Sequence, residues 1–175
     1  RMAQYIHLIS NTTASTPLDV WQPSSNNIAP QLADQAALGY FRNFFENALE
    51  TSVEVYYKDM QNQVDYIDNA TLLLNEFLEG DLLSGHGRAY GLELYVKKAK
   101  GDLTGWVSYT LGRTERQVEG INLSEWFPSR FDKTHNLSVV AMYPLGKKWS
   151  VSGNFTFSTG TPATFPTNRI LVGDW

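Results

Sequence analysis

The chain has 175 residues, no cysteine and a net charge of -4 at neutral pH, with 13% aromatic and 18% charged residues. The lack of cysteine excludes disulfide bonds and thiolate metal sites, and the lack of a net positive charge or a Lys/Arg run argues against nucleic acid as a partner. No run of about 18 or more apolar residues occurs, so the sequence predicts no transmembrane helix. The chain starts at Arg1 inside a strand-like run without a signal peptide, and we expect it to be an internal piece of a longer protein.

The dominant feature of the sequence is the alternation of apolar and polar residues over long segments. At the end of the chain, Trp149, Val151, Phe155 and Phe157 fall on odd positions, with small or polar residues between them. Successive side chains of a strand point to opposite faces, so this pattern predicts strands with one apolar and one polar face. Seven strands are predicted, at about 2–9, 34–45, 49–66, 88–99, 102–116, 134–144 and 148–158.

The predicted connections alternate between short and long. Short turns fall at 45–48, 99–102 and 144–148, and long polar loops at about 10–33, 67–87 and 117–133, with another beginning at Thr159. Short turns at one end of a sheet and long loops at the other are typical of outer-membrane β-barrels. The strands also exceed the usual length of about 5–6 residues for a globular strand.

One loop carries a helical pattern of its own. In the loop 67–87, apolar residues at 73, 74, 77 and 78 followed by Gly80 predict a short amphipathic helix. Its acids Glu76, Glu79 and Asp81 either bind a cation or form a solvated face, and the solvated face is favoured because the ligand spacing of a calcium loop is missing.

The alternation also assigns residues to faces. Charged residues in the middle of strands, such as Glu54 and Glu93, are costly against lipid but stable against water. We therefore expect the apolar face to meet lipid and the polar face to line a hydrated lumen. The residues expected to face lipid are Val53, Val55, Leu92, Leu94, Val96, Leu137, Val139, Val151, Phe155 and Phe157. Those expected to face the lumen are Glu54, Lys58, Glu93, Lys97, Asn154 and Thr156.

The predicted fold class is therefore all-β: an antiparallel meander of about seven strands that forms part of a large transmembrane β-barrel. The whole chain, 1–175, is assigned to that single domain. Aromatic residues near the strand ends predict an interfacial girdle; they are Tyr40, Phe41, Phe44, Phe45, Tyr143 and Trp149. The alternative is a soluble β-sandwich in which the same aromatics fill the core.

The long loops hold the candidate ligand-binding residues. These are Trp21, Asn26 and Asn27 in the first loop, and Glu125 and Trp126 in the third. A tryptophan beside amides and carboxylates can stack on a sugar or peptide while the polar groups fix its orientation. The competing interpretation is that Trp21 and Trp126 pack the loops together or lie at the membrane surface.

No enzymatic motif competes with this interpretation. The three histidines are scattered, and neither a zinc motif, a nucleophile elbow nor a phosphate-binding glycine loop is present. The sequence predicts no catalytic residue, no metal site and no cofactor.

Several motifs together resemble the C-terminal barrel of TonB-dependent outer-membrane receptors of the Bacteroidetes type, which carry an N-terminal carboxypeptidase-regulatory-like domain. The motifs lie at 87–98 (GRAYGLELYVKK), 103–110 (LTGWVSYT), 128–135 (PSRFDKTH) and 157–162 (FSTGTP), the last followed by Pro166. The resemblance covers about residues 34–168. Pro128, Arg130 and Asp132 recur in the family, which favours an arginine–carboxylate pair that orders the loop.

The resemblance implies a larger protein. The family's barrel has about 22 strands and is plugged by an N-terminal domain that is absent from this chain. It also implies a location in the outer membrane of a Gram-negative bacterium and import of a nutrient: a glycan, a peptide, or a metal or vitamin complex. The implied partners are outer-membrane lipid, the plug domain, the TonB energy-transducing complex and, as a further candidate, a surface lipoprotein. The alternative functions are a soluble or surface-anchored carbohydrate-binding β-sandwich and, third, a passive porin or adhesin.

Overall fold

The computed structural model describes residues 1–10, 19–67 and 78–163, and these residues form an all-β fold. The strands are β1 (Met2–Gln4), β2 (Ile6–Ser10), β3 (Asp19–Pro23), β4 (Gln31–Phe44), β5 (Leu49–Tyr66), β6 (Leu82–Lys98), β7 (Thr104–Val118), β8 (Phe127–Pro128), β9 (His135–Leu145) and β10 (Trp149–Ser158). Short 3-10 turns occupy Leu78–Asp81 and Asn122–Ser124. In the described part of the chain, no helix is long and apolar enough to span a membrane.

Most strands belong to one antiparallel meander. Its order is β1-β4-β5-β6-β7-β9-β10, with the short β8 also paired to β7, while β2 and β3 form a separate two-stranded sheet. The three expected hairpins, β4–β5, β6–β7 and β9–β10, are confirmed. Within the described residues the sheet does not close on itself.

The strand bounds differ from the predicted ones mainly at the loop end of the sheet. The bounds of β5 agree with the prediction, but β6 starts at Leu82, six residues before the predicted start at 88. The prediction of an unbroken loop over 10–33 was wrong, because β3 forms there and pairs with β2 from Ile6↔Pro23 to Ser10↔Asp19. The helix predicted in 67–87 lies mostly outside the described residues, and its end forms only the turn Leu78–Asp81.

The strand register sorts side chains into two faces, as the alternation predicts. One row across five strands of the apolar face runs Val53, Leu94, Tyr109, Leu137 and Phe157. The neighbouring row on the polar face runs Glu54, Glu93, Thr110, Asn136 and Ser158. Much of the apolar face is open: Val53 is 42% exposed and Phe155 59% exposed.

The buried core is small and lies at the loop end. Ile9 of β2 and Ile28 pack against Val64 and Tyr66 of β5, with Leu82 of β6 against them. A bulge at Asn62, whose φ is 57°, shifts the β5 register between Gln61 and Gln63. The extra residue reverses the alternation, so Val64 and Tyr66 lie on the same face as Val53. The β2–β3 hairpin packs on this face of the sheet at its loop end.

Candidate functional site

The candidate residues lie at the loop end, in two separate places. Trp21, Asn26 and Asn27 belong to β3 and the β3–β4 connection, which packs beside the turn Leu78–Asp81. Glu125 and Trp126 belong to the segment that links β7 to β8.

Trp21 is an exposed aromatic on a strand rather than in a loop. It pairs with Leu8 across the β2–β3 hairpin and is 65% exposed. The neighbouring residue Gln22 points to the opposite side, toward the small core, because strand side chains alternate. The indole ring is therefore accessible to solvent, and its role in ligand binding stays a prediction.

At the first of these two places, Glu79 accepts hydrogen bonds from two amides. The Gln22 Nε2 donates to Glu79 Oε1 at 3.2 Å, and the Asn27 Nδ2 donates to Glu79 Oε2 at 3.0 Å. Asn26 is exposed beside them. The sequence favoured Glu79 as a solvated acid over a cation-binding one, and did not predict its two amide partners, which lie more than fifty residues away in the chain. The carboxylate fixes the β3–β4 connection to the turn before β6.

A cleft of about 170 Å³ opens beside this cluster. Its polar lining is Glu79, Asn27 and Ser84. Its apolar wall is formed by Ile28, Ala29, Val64, Leu82 and Leu83. The cleft combines one carboxylate with an apolar surface, the usual composition of a small-molecule site.

The hairpin beside the cleft buries a histidine. His7 is fully buried, and its Nε2 lies 3.0 Å from the Ser24 hydroxyl. Burial lowers the pKa of His7, since the charged imidazolium loses its hydration there. Burial raises the pKa of Tyr66 in the same region, and the negative charge of the nearby Asp65 raises it further by a smaller amount. The Nδ1 of His7 and the hydroxyl of Tyr66 are buried without a hydrogen-bond partner among the described residues.

At the second of the two places, Trp126 is half-buried, and Arg88 covers one face of its ring. The guanidinium carbon of Arg88 lies 4.1 Å from the ring centroid, within the range of a cation–π contact. Glu125 is exposed, and its backbone N–H donates to the Asn122 carbonyl at 3.0 Å. This geometry favours the interpretation in which Trp126 packs the loop onto the sheet, and leaves Trp21 as the more accessible ring.

A charged network lies beneath Trp126. Arg88 contacts the Glu115 carboxylate at 2.7 Å, and Arg113 Nε reaches its other oxygen at 3.2 Å. Glu115 is 9% exposed and Asp132 is 4% exposed. The Asp132 carboxylate accepts the Thr114 backbone N–H at 2.6 Å and lies 3.9 Å from Arg113.

The Asp132 carboxylate of the third loop thus pairs with Arg113 of β7, an arginine that the sequence did not indicate for this role. The Arg130 guanidinium lies over the Phe131 ring, at 5.0 Å. Asp132 lies between β8 and β9, and its carboxylate binds the backbone of β7. This contact orders the chain where it returns from the loop to the sheet. Sequence reasoning missed Arg88, Arg113 and Glu115 because their partners become visible only in the strand register.

Among the described residues, no group of three or more histidine or acidic side chains is arranged to hold a metal ion. The chain matches no protein-family model, no curated protein and no solved structure. The assignment of a function therefore rests on the geometry and on the motifs of the sequence.

Proposed function

We propose that this chain forms part of the wall and the loop rim of a large outer-membrane β-barrel, in a TonB-dependent receptor that imports a nutrient. The observation that carries the proposal is the exposed apolar face of the meander. It runs without interruption from β4 to β10 and includes Leu38, Val55, Val107, Val151 and Phe155, all exposed. A continuous apolar surface of this kind is rare on soluble monomers and needs a cover.

The height of the apolar face supports lipid as that cover. On β6 the apolar residues Tyr90, Leu92, Leu94 and Val96 lie between Arg88 and Lys98. The ten residue steps between these two charges span about 34 Å along the strand, or about 26 Å along a barrel axis at a tilt of about 40°, and the apolar residues between them cover six steps, or about 20 Å of strand. The apolar band of outer-membrane barrels is about 25 Å tall.

Both borders of the band carry the residues expected at a membrane surface. At the loop end, a row of charges crosses four strands; it consists of Asp34, Asp59, Arg88 and Glu115. Just inside that row, Tyr57 and Tyr90 stack with ring centroids 6.4 Å apart. At the turn end, Trp149 and Phe45 are highly exposed. Aromatic rings between an apolar band and charged residues are typical of interfacial girdles.

The polar face supports a hydrated lumen. Glu54 and Glu93 are direct cross-strand neighbours, an arrangement of like charges that is unfavourable unless water screens it. Lys97 pairs with Glu50 at 3.3 Å on the same face. Such a face is compatible with the water-filled or plugged interior of a large barrel.

The carbohydrate-binding β-sandwich receives less support. A sandwich covers its apolar faces with a second sheet about 10 Å away. In the described part of the chain, the second sheet has only the two strands β2 and β3, and its packing partners are Val64 and Tyr66 at the loop end. The middle of the apolar face stays open.

The proposed receptor needs more than this chain. The wall supplies outer-membrane contact, and the loop end supplies a rim that carries Trp21, Asn26 and Asn27. Gating and energy would come from a plug domain and the TonB complex, as the resemblance implies, and a surface lipoprotein is a candidate partner at the rim. The residues of this chain do no bond-breaking in this proposal.

Uptake in the source organism tests the import function. We expect deletion of the gene to abolish high-affinity uptake of one nutrient class among glycans, peptides, and metal or vitamin complexes. Wild-type protein should restore that uptake, and collapse of the proton gradient should abolish it again, because TonB-dependent import is energised. Unchanged uptake of every class in the deletion strain, or restored uptake that survives collapse of the gradient, would contradict the proposal.

A further inference from the structure

We propose that the cleft beside Glu79 binds the ammonium group of an organic cation whose apolar body is about the size of a leucine side chain, as at the amino terminus of a peptide. From the sequence, Asn27 was a candidate for ligand binding and Glu79 was considered as a cation-binding acid but judged to belong to a solvated face. The proposal depends on the shape of the cleft, on its hydrogen-bonding capacity and on its charge.

The shape suits a small branched or aromatic group. The cleft holds about 170 Å³ and is walled by Ile28, Val64 and Leu82 on its apolar side. An apolar cavity of about 150 Å³ is large enough for benzene. Val64 and Ile28 belong to the buried core, so that wall is fixed in place.

The hydrogen-bonding capacity favours a guest that donates. An ionised carboxylate can only accept, so the amide nitrogens of Gln22 and Asn27 must face Glu79, as observed. Asn27 keeps its carbonyl oxygen, another acceptor, and the second N–H of its amide, a donor. With the Glu79 carboxylate and the Ser84 hydroxyl, the cleft presents mainly acceptors. An ammonium group has three donors and no acceptor, which matches this lining.

The charge of the cleft points the same way. Glu79 forms no ion pair within the described residues, and its two partners are neutral amides. A carboxylate beside an apolar wall is stabilised by a cationic guest and repels an anionic one. A metal ion is a poorer match, since a single carboxylate and an apolar wall do not supply the six or more oxygens that calcium takes.

The binding chemistry stands independently of the proposed import function. Only the identification of the bound molecule as cargo rests on that function. A failure of amine binding and a failure of nutrient uptake are therefore separate results, obtained on purified protein and on cells.

The test is a ligand-observed NMR titration of the intact purified protein with matched probes. The first pair is 3-methylbutylammonium against 3-methylbutanol, and the second is the tripeptide Leu-Gly-Gly against its N-acetylated form. We expect the charged member of each pair to bind about tenfold or more tightly than the neutral one, because a charge-assisted hydrogen bond is lost in the latter. The Glu79→Gln variant should remove that difference and leave the weak binding of the alcohol unchanged.

Two further variants keep the test decisive. Glu119→Gln removes an exposed acid elsewhere at the loop end and should leave amine binding unchanged. Ala29→Phe fills the cleft from an exposed position, and should abolish amine binding with Glu79 intact. Equal binding of amine and alcohol, retention of amine binding in Glu79→Gln or Ala29→Phe, absence of amine binding, or displacement of the amine by calcium would overturn the proposal.

Discussion

The middle of the sheet and its loop end follow different rules although they share the same strands. Between Lys98 and Arg88, alternation alone sorts side chains, and the apolar face stays exposed. Beyond Arg88, carboxylates such as Glu115 and Asp132 become buried against arginines, and a hairpin covers Val64 and Tyr66. The comparison teaches that one region leaves its apolar face uncovered by the described residues, whereas the other is organised by its own tertiary contacts.

The largest expected effect comes from placing a charge in the middle of the apolar face. We expect Val53→Arg to destabilise the folded protein by about 2–4 kcal/mol, because an arginine at bilayer depth loses its hydration. Ser52→Arg, one residue away on the polar face, is the matched control and should cost much less. Urea unfolding of the intact protein in lipid vesicles measures both. A larger cost for Ser52→Arg would reverse the assignment of the faces.

The next effect concerns the charged network at the loop end. Glu115→Ala leaves Arg88 and Arg113 without their shared carboxylate. A fully buried pair broken in this way costs about 3–5 kcal/mol, and the partial exposure of both arginines lowers our expectation to about 1–3 kcal/mol. Unfolding midpoints measure it, with the exposed Glu119→Gln as control. A cost equal to that of the control would show that the network does not stabilise the rim.

The third effect is a pH dependence confined to the loop end. The fold lowers the pKa of His7, so this histidine stabilises the hairpin above its unfolded pKa of about 6.5. That contribution is lost as the pH falls from about 6.5 through the lower pKa of the folded state. For each pH unit by which the fold lowers this pKa, the equilibrium constant for opening the hairpin rises about tenfold over that range.

Hydrogen exchange, corrected for intrinsic rates, measures this pH dependence in β2 and β3. We expect weaker protection at pH 5 than at pH 7.5 in these strands but not in the middle of β5. The variant His7→Gln should remove the difference. Equal pH dependence in His7→Gln and wild type would contradict the assignment.

The smallest effects on stability separate the two tryptophans. Trp126→Ala should cost about 0.5–1 kcal/mol, because it removes a cation–π contact with Arg88. Trp21→Ala should leave stability nearly unchanged, since the ring is exposed, and should weaken ligand binding by the proposed receptor. Unfolding and ligand titrations of the two single variants measure this. Loss of ligand binding in Trp126→Ala alone would exchange the two roles.

Local alternation predicted the middle of the sheet well. The segments that became β5, β9 and β10 repeat with a period of two over ten or more residues, and their bounds agree with the prediction to within a residue. The start of β6 was missed because the positions in line with Leu92 and Leu94 hold the polar residues Ser84, His86 and Arg88 there. A Cβ atom at Gly87 would lie only 3.1 Å from the side chain of Met60 and 3.1 Å from that of Gln63, so a larger residue would not fit easily there.

The site was harder to predict because it depends on long-range contacts. The strand β3 spans only five residues and ends in Pro23, so its pairing with β2 has no local signal. Glu79 meets Gln22 and Asn27 only after the β3–β4 connection packs against the turn before β6. Trp21 and Asn27 were predicted from their residue types, and their role in binding stays a prediction, whereas the contacts of Glu79 and Glu115 required the structure.

The most direct test of the central claim is site-directed cysteine labelling of the apolar and polar faces. The chain has no cysteine of its own, so Val53→Cys, Phe155→Cys, Ser52→Cys and Thr156→Cys each introduce one reporter into it. In native outer membranes, we expect positions 53 and 155 to react with a lipid-soluble maleimide and to resist a water-soluble one, while positions 52 and 156 show the opposite preference. Reaction of positions 53 and 155 with the water-soluble reagent, or protection of positions 52 and 156 from it in favour of the lipid-soluble one, would contradict the account.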